Sequence, residues 1–230
     1  MSEMWSETES NRLRCVCSTV GFEHQHWREN YYPDACPPDW QVAYFMNDFR
    51  AVYLPDTDWY ENRQLIDTVI EELEDDFELV LQWPSGITPQ AMVDALEWLA
   101  PLKKNIACMV LAGDAKSTAQ LEQCLQKLAR QYPVNLDCTL PVSTQVRAIA
   151  KEFGAGFVWR GDDEIHDLMM ADYQLVVVPC PDLRPGAAML KVLQSAASEG
   201  MRIGVFLEAA PQSPQRALEL RTIIELMEMD

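Results

Sequence analysis

The sequence predicts a single α/β domain, a (β/α)8 barrel of the TIM type, and three observations carry that prediction. Eight short apolar, β-rich runs recur along the chain. Several are almost continuously apolar, the pattern of parallel strands buried on both faces. Helical segments with recognisable start signals lie between nearly all of them. Eight such repeats in 230 residues favour a closed barrel over an open doubly wound sheet.

The first four predicted strands are RCVCSTV (14–20), AVYLP (51–55), FELVLQW (77–83) and IACMVLAG (106–113). The second four are VNLDCT (134–139), GFVWR (156–160), YQLVVVP (173–179) and RIGVFLE (202–208). Among the helices, Leu65, Ile66, Val69, Ile70 and Leu73 mark one amphipathic segment that ends in the acidic EELEDD. Thr88-Pro89 is an N-cap followed by proline at the first helical position, ahead of Met92, Leu96 and Leu99. Ser117 with Gln120 has capping-box spacing before Leu121, Cys124, Leu125 and Leu128. The stretch DDEIHDLMMA between the sixth and seventh strands leaves room for a short helix only. Ser213-Pro214 repeats the cap-and-proline device before Ala217, Leu220, Ile224 and Met227.

Residues 14–230 are thus assigned to one barrel domain, and the polar, partly acidic residues 1–13 to a loosely ordered tail. The tail lacks the basic-then-apolar pattern of a signal peptide, and no apolar run approaches the ~20 residues of a membrane span. A cytoplasmic protein is expected. Its 18 Lys and Arg stand against 36 Asp and Glu, a net charge of −18. That field disfavours nucleic acid and anionic membranes, whose binding needs clustered basic groups. It leaves a protein partner or a second copy of the chain as macromolecular partners. The seven cysteines are expected to be reduced core residues. Cys15 and Cys17 share a strand face, and no second Cys/His pair completes a zinc spacing.

Barrel enzymes carry their chemistry at the carboxyl ends of strands and in the loops that follow. Two of the three histidines, His24 and His26, lie in the long first loop, VGFEHQHWRENYYPD. On an irregular loop, His-x-His is a weak metal signal, and the metal reading stops at those two residues. Asp137 and Glu208 stand at strand ends and form a candidate carboxylate pair for acid–base or glycoside chemistry, at a separation the sequence leaves open. Asp56, Asp58, Asp114, Arg160, Asp162, Asp163, Asp182 and Arg184 occupy further loops at the same end. No G-x-G-x-x-G, P-loop or nucleophile elbow is present, so no cofactor is implied.

The segment STVGFEHQHWRENYYPDACPPDWQVAYFMNDFRAVYL resembles the YecE-like family (domain of unknown function seventy-two). That family begins with a G-T-S-G-W strand, then H-W-R/K-G-x-F-Y-P, a helix with Y-A-x-x-F and a strand reading V-E-I-N. Ser18, Gly21, Phe22, His26, Trp27, Arg28, Tyr32, Pro33, Tyr44 and Phe49 keep that spacing. WPSGIT is similar to its A-P-R-x-I-T, and PQRALELRTI to its terminal helix. The resemblance implies a TIM-type barrel with a polar pocket at its mouth. It also implies a place for His26, Trp27, Arg28 and Tyr32, either as a ligand site for an anion or as packing over the barrel.

The departures from the pattern cluster at the polar centre. Tyr53-Leu54-Pro55 stands for E-I-N, Gln82 for the lysine of V-K-A-P, and Ser85 for the arginine that follows. Asp137-Cys138-Thr139-Leu140 stands for E-F-R-H, and Leu207-Glu208-Ala209 for F-N-N. Removing a whole charge network costs little stability, whereas removing one partner costs much. Two functions follow from this reading. One is a barrel with a degenerate active centre and a non-catalytic or interaction role. The other is a small-molecule enzyme, hydrolytic or metal-assisted, with its site at the C-terminal mouth and His24, His26, Arg28, Asp137 and Glu208 as its residues.

Overall fold

The computed structural model describes residues 14–114, 117–161, 172–197 and 200–227. The expected tail at 1–13 and the short helix expected near 162–171, with Asp162 and Asp163, lie outside the described residues.

All eight expected strands form. They are β1 (Arg14–Thr19), β2 (Ala51–Leu54), β3 (Glu78–Gln82), β4 (Ile106–Ala112), β5 (Val134–Asp137), β6 (Gly156–Phe157), β7 (Tyr173–Val178) and β8 (Arg202–Leu207). Every pairing is parallel. The ladders make two arcs, β7-β8-β1 and β2-β3-β4-β5-β6. One isolated parallel bridge spans each seam, Val20 to Tyr53 and Trp159 to Val176. The chain is therefore a (β/α)8 barrel whose β1/β2 and β6/β7 seams are held by single bridges. Because β6 is only two residues long, β5 and β7 approach each other, and Asn135 Nδ2 donates to the Tyr173 carbonyl at 2.8 Å.

The surrounding helices are α1 (Pro38–Asp48), a single turn α2 (Asp56–Trp59), α3 (Arg63–Glu72), α4 (Pro89–Trp98), α5 (Thr118–Leu128), α6 (Thr144–Phe153), α7 (Leu183–Ala196) and α8 (Ser213–Met227). Their start signals work by different means. Thr88 Oγ1 accepts from Ala91 N at 3.2 Å, as its cap position predicts. Ser117 occupies the N-cap of α5 without a side-chain capping bond. Ser213 is turned away from capping: its hydroxyl donates to Glu208 O at 2.6 Å and accepts from Ala210 N at 3.0 Å. That serine ties the β8–α8 loop to the strand end.

Alternation along the strands separates two apolar layers. Ala51 and Tyr53 of β2 face the barrel interior with Val80, Cys108, Val110, Val158, Leu175, Val177 and Phe206. Val52 and Leu54 face outward into the larger layer beneath the helices. At the amino-terminal end of the interior, Arg202 pairs with Glu78 and lies 5.3 Å from the Tyr173 ring centroid. Gly204 is required there, since a Cβ at that position would collide with the Tyr173 hydroxyl and the Phe206 ring.

Candidate functional site

The carboxyl ends of β5, β6 and β8 bring three charged side chains to one point. Asp137 is the last residue of β5, Arg160 follows the bridge residue Trp159, and Glu208 follows β8 directly. The period of two that sends Val158 and Phe206 inward sends Arg160 and Glu208 the same way, at the rim. Arg160 donates from Nη2 to Asp137 Oδ2 at 2.7 Å and from Nε to Oδ1 at 3.3 Å. Its Nη1 donates to Glu208 Oε1 at 3.1 Å. The side-on, two-point contact fixes the guanidinium plane against Asp137. Glu208 is held through one oxygen, and among the described residues Oε2 has no partner. The side chains of Asp137, Arg160 and Glu208 are 26%, 41% and 49% exposed, so the set meets solvent.

Tyr53 lies under this triad. It is 5% exposed, packs against Phe206 with ring centroids 6.1 Å apart, and its hydroxyl has no hydrogen-bond partner among the described residues. Burial first, then the Asp137 carboxylate, raises its pKa, with Arg160 opposing. On Arg160, the hydrogen bond to Asp137 is the largest cause of a raised pKa, so the guanidinium stays charged.

The first-loop residues are placed elsewhere. Trp27 and Tyr32 belong to the outer layer. Trp27 is wholly buried and donates from Nε1 to the Ala210 carbonyl at 2.7 Å, while Tyr32 donates to Phe22 O at 2.6 Å. His24 Nε2 lies 2.8 Å from the Val20 carbonyl, and its ring stacks with His26 at 5.5 Å between centroids. His26 and Arg28 are exposed. Glu23 belongs to this loop and Asp58 adjoins it. Burial and then Asp58 raise the Glu23 carboxyl, with Arg28 opposing, and burial is also the largest cause of the raised Asp58 carboxyl.

The structure thus unites Asp137 with Glu208 and sets His24, His26 and Arg28 in a second group with Glu23 and Asp58. Among the described residues, no group of three or more His, Cys, Asp or Glu side chains could hold a metal ion. The residue that organises the first group, Arg160, was legible as a strand-end cation. Tyr53 was legible only as the residue standing where the resembling family has the first residue of E-I-N. Neither carried a signal of its pairing.

No family model matches the chain, and no curated protein matches it. Solved structures do. Orotidine 5'-monophosphate decarboxylase from Sulfolobus solfataricus is similar at 15% identity and a TM-score of 0.50, over 95% of this chain and 99% of that one. A mandelate racemase/muconate lactonizing enzyme from a marine actinobacterium aligns at 15% identity and a TM-score of 0.44, over 91% of this chain and 51% of that one. At 15% identity the likeness to the decarboxylase shows the fold alone. No helix among the described residues is long and apolar enough to cross a membrane.

Proposed function

We propose that this chain is a cytoplasmic, YecE-like barrel that binds and acts on a small polar molecule at its C-terminal mouth. The observation that carries the reading is the Asp137–Arg160–Glu208 triad, assembled from three strands at the end where such barrels place their chemistry. Stability alone gives a poor account of it, because partly exposed ion pairs contribute ~0–1 kcal/mol each. The resemblance supports the same place: Tyr53, Asp137 and Glu208 fall where the family pattern has E-I-N, E-F-R-H and F-N-N. The polar centre is replaced rather than lost.

The roles follow from the hydrogen bonds. Glu208, with a spare oxygen, is the general base. Asp137 orients Arg160, and the Tyr53 hydroxyl forms a hydrogen bond with the ligand. A thermal-shift screen of polar metabolites on the wild type, Glu208→Gln and Arg160→Ala tests the proposal. Compounds that stabilise the wild type and neither variant support it. Compounds that stabilise all three alike would place binding away from the mouth and sink it.

One observation favours a second reading, a non-catalytic barrel that works through a protein partner or a second copy. Trp40 on α1 is 67% exposed, an indole presented to solvent. Sedimentation of the wild type against Trp40→Ala separates the two. Self-association lost in the variant favours this reading, and an unchanged monomer removes the second copy from it.

A further inference from the structure

Positive charge at the mouth is already committed. Three N–H groups of Arg160 are directed at Asp137 and Glu208. What remains for a ligand is the spare Oε2 of Glu208 and the hydroxyl of the buried Tyr53, which has no hydrogen-bond partner among the described residues. Two other observations agree on the sign of the local field. Burial, then Asp114 and Asp137, pushes the Cys138 thiol up to about 12. Asp137 raises Tyr53 after burial does.

Three backbone amides at the end of β8 and in the loop after it are already engaged within the chain. Barrels often seat phosphate on the loops after strands seven and eight. In this chain Ala210 N donates to Ser213 Oγ at 3.0 Å, Ser213 N to Ala210 O at 3.0 Å, and Glu208 N to Val178 O at 2.8 Å. The Glu208 carboxylate stands beside them and would repel a bound anion.

We infer that the mouth selects a small organic cation, a primary amine or a guanidine, over phosphate and carboxylate ligands of similar size. The inference rests on the mouth being a ligand site, as proposed above, and adds the charge of its ligand. The ammonium or guanidinium donates to Glu208 Oε2 in a charge-assisted hydrogen bond, with the Tyr53 oxygen as a second acceptor.

The test is an NMR titration of the full chain with butylamine, butylguanidine, butanol, butyrate and inorganic phosphate. It is run on the wild type, Glu208→Gln, Tyr53→Phe and Arg160→Ala, each verified as folded by circular dichroism. The amine and the guanidine are expected to bind, about tenfold or more weaker in Glu208→Gln, the loss of one hydrogen bond to a charged group. Cation binding unchanged in Glu208→Gln and Tyr53→Phe overturns the inference. Butyrate or phosphate binding that Arg160→Ala abolishes also overturns it, yet leaves the mouth a ligand site. No probe responding to any of the three variants overturns both.

Discussion

The indole nitrogen of Trp27 and the carbonyl of Ala210 are 2.7 Å apart, 183 positions from each other in sequence. This hydrogen bond joins the loop after the first strand to the loop after the last. The two loops flank the β1–β8 ladder, which runs in register from Arg14 with Arg202 to Thr19 with Leu207. Close by, Ser213 holds Glu208 O and Ala210 N. The HWRENYY segment is therefore tied to the strand end that carries Glu208, although none of its side chains reaches the triad.

Trp27→Phe removes the indole donor while Ser213 N still holds the Ala210 carbonyl, and is expected to cost about 0.5–1.5 kcal/mol. Trp27→Ala, which also opens a cavity in the outer layer, is expected to cost about 3–5 kcal/mol. Urea denaturation of both variants measures the difference, and a Trp27→Phe variant as stable as the wild type would show that the hydrogen bond contributes nothing beyond packing.

Gly204→Ala places a methyl group against Tyr173 and Phe206 in the barrel interior. Overpacking of this kind costs about 1–3 kcal/mol. Tyr173→Phe removes the hydroxyl that the new Cβ would strike, so the double variant is expected to be more stable than Gly204→Ala alone. A melting temperature for the double variant no higher than for the single one would mean that the strain lies with Phe206.

The raised carboxyls of Glu23 and Asp58 set a pH dependence. The folded chain holds these two protons more tightly than the unfolded chain does. Their contribution to stability is complete below the unfolded carboxylate range, about pH 4, and is lost as pH rises through the folded values. Asp58→Asn is expected to flatten that fall and to raise stability at neutral pH. Denaturation midpoints followed from about pH 4 to 7 decide it, and an unchanged slope in the variant counts against the assignment.

Asp137 adds to the raised pKa of Cys138 through its charge. Asp137→Asn is expected to lower the Cys138 pKa and to speed its alkylation at mildly alkaline pH, read by peptide mass mapping. A Cys138 rate unmoved by the substitution would mean that burial and Asp114 account for the whole shift.

Arg160→Met leaves two carboxylates facing each other without their shared cation. Because all three groups are partly exposed, the cost is expected to be about 1 kcal/mol rather than that of a buried pair. Part of it should return when Asp137→Asn is added. A double-mutant cycle with no coupling would show that the contact contributes nothing to stability.

Much of the barrel was legible in the chain because strand and helix signals are local. Val52 and Leu54 against Ala51 and Tyr53 announce two buried faces within four residues, and Thr88-Pro89 announces a helix start within two. Local signals also misled. Ser213-Pro214 has the form of a cap, yet the serine serves the loop before the helix. The capping-box spacing of Ser117 and Gln120 produced an N-cap without a side-chain bond. In both cases the form of the sequence was right for the place, and the hydroxyl's use was set by neighbours it does not announce.

By itself the sequence determined the eight strands, their parallel character and the end of the barrel at which charged residues gather, because apolar continuity and alternation act between near neighbours. Only the tertiary structure decided which charges meet. Arg160 lies 23 positions from Asp137 and 48 from Glu208. Their encounter depends on strand order, on the shortness of β6 and on the curvature that turns three strand ends toward one axis. The same curvature put Trp27 in the outer layer and Tyr53 under the triad. A residue's chemistry is written in its side chain, and its partner is chosen by the path of the backbone between them.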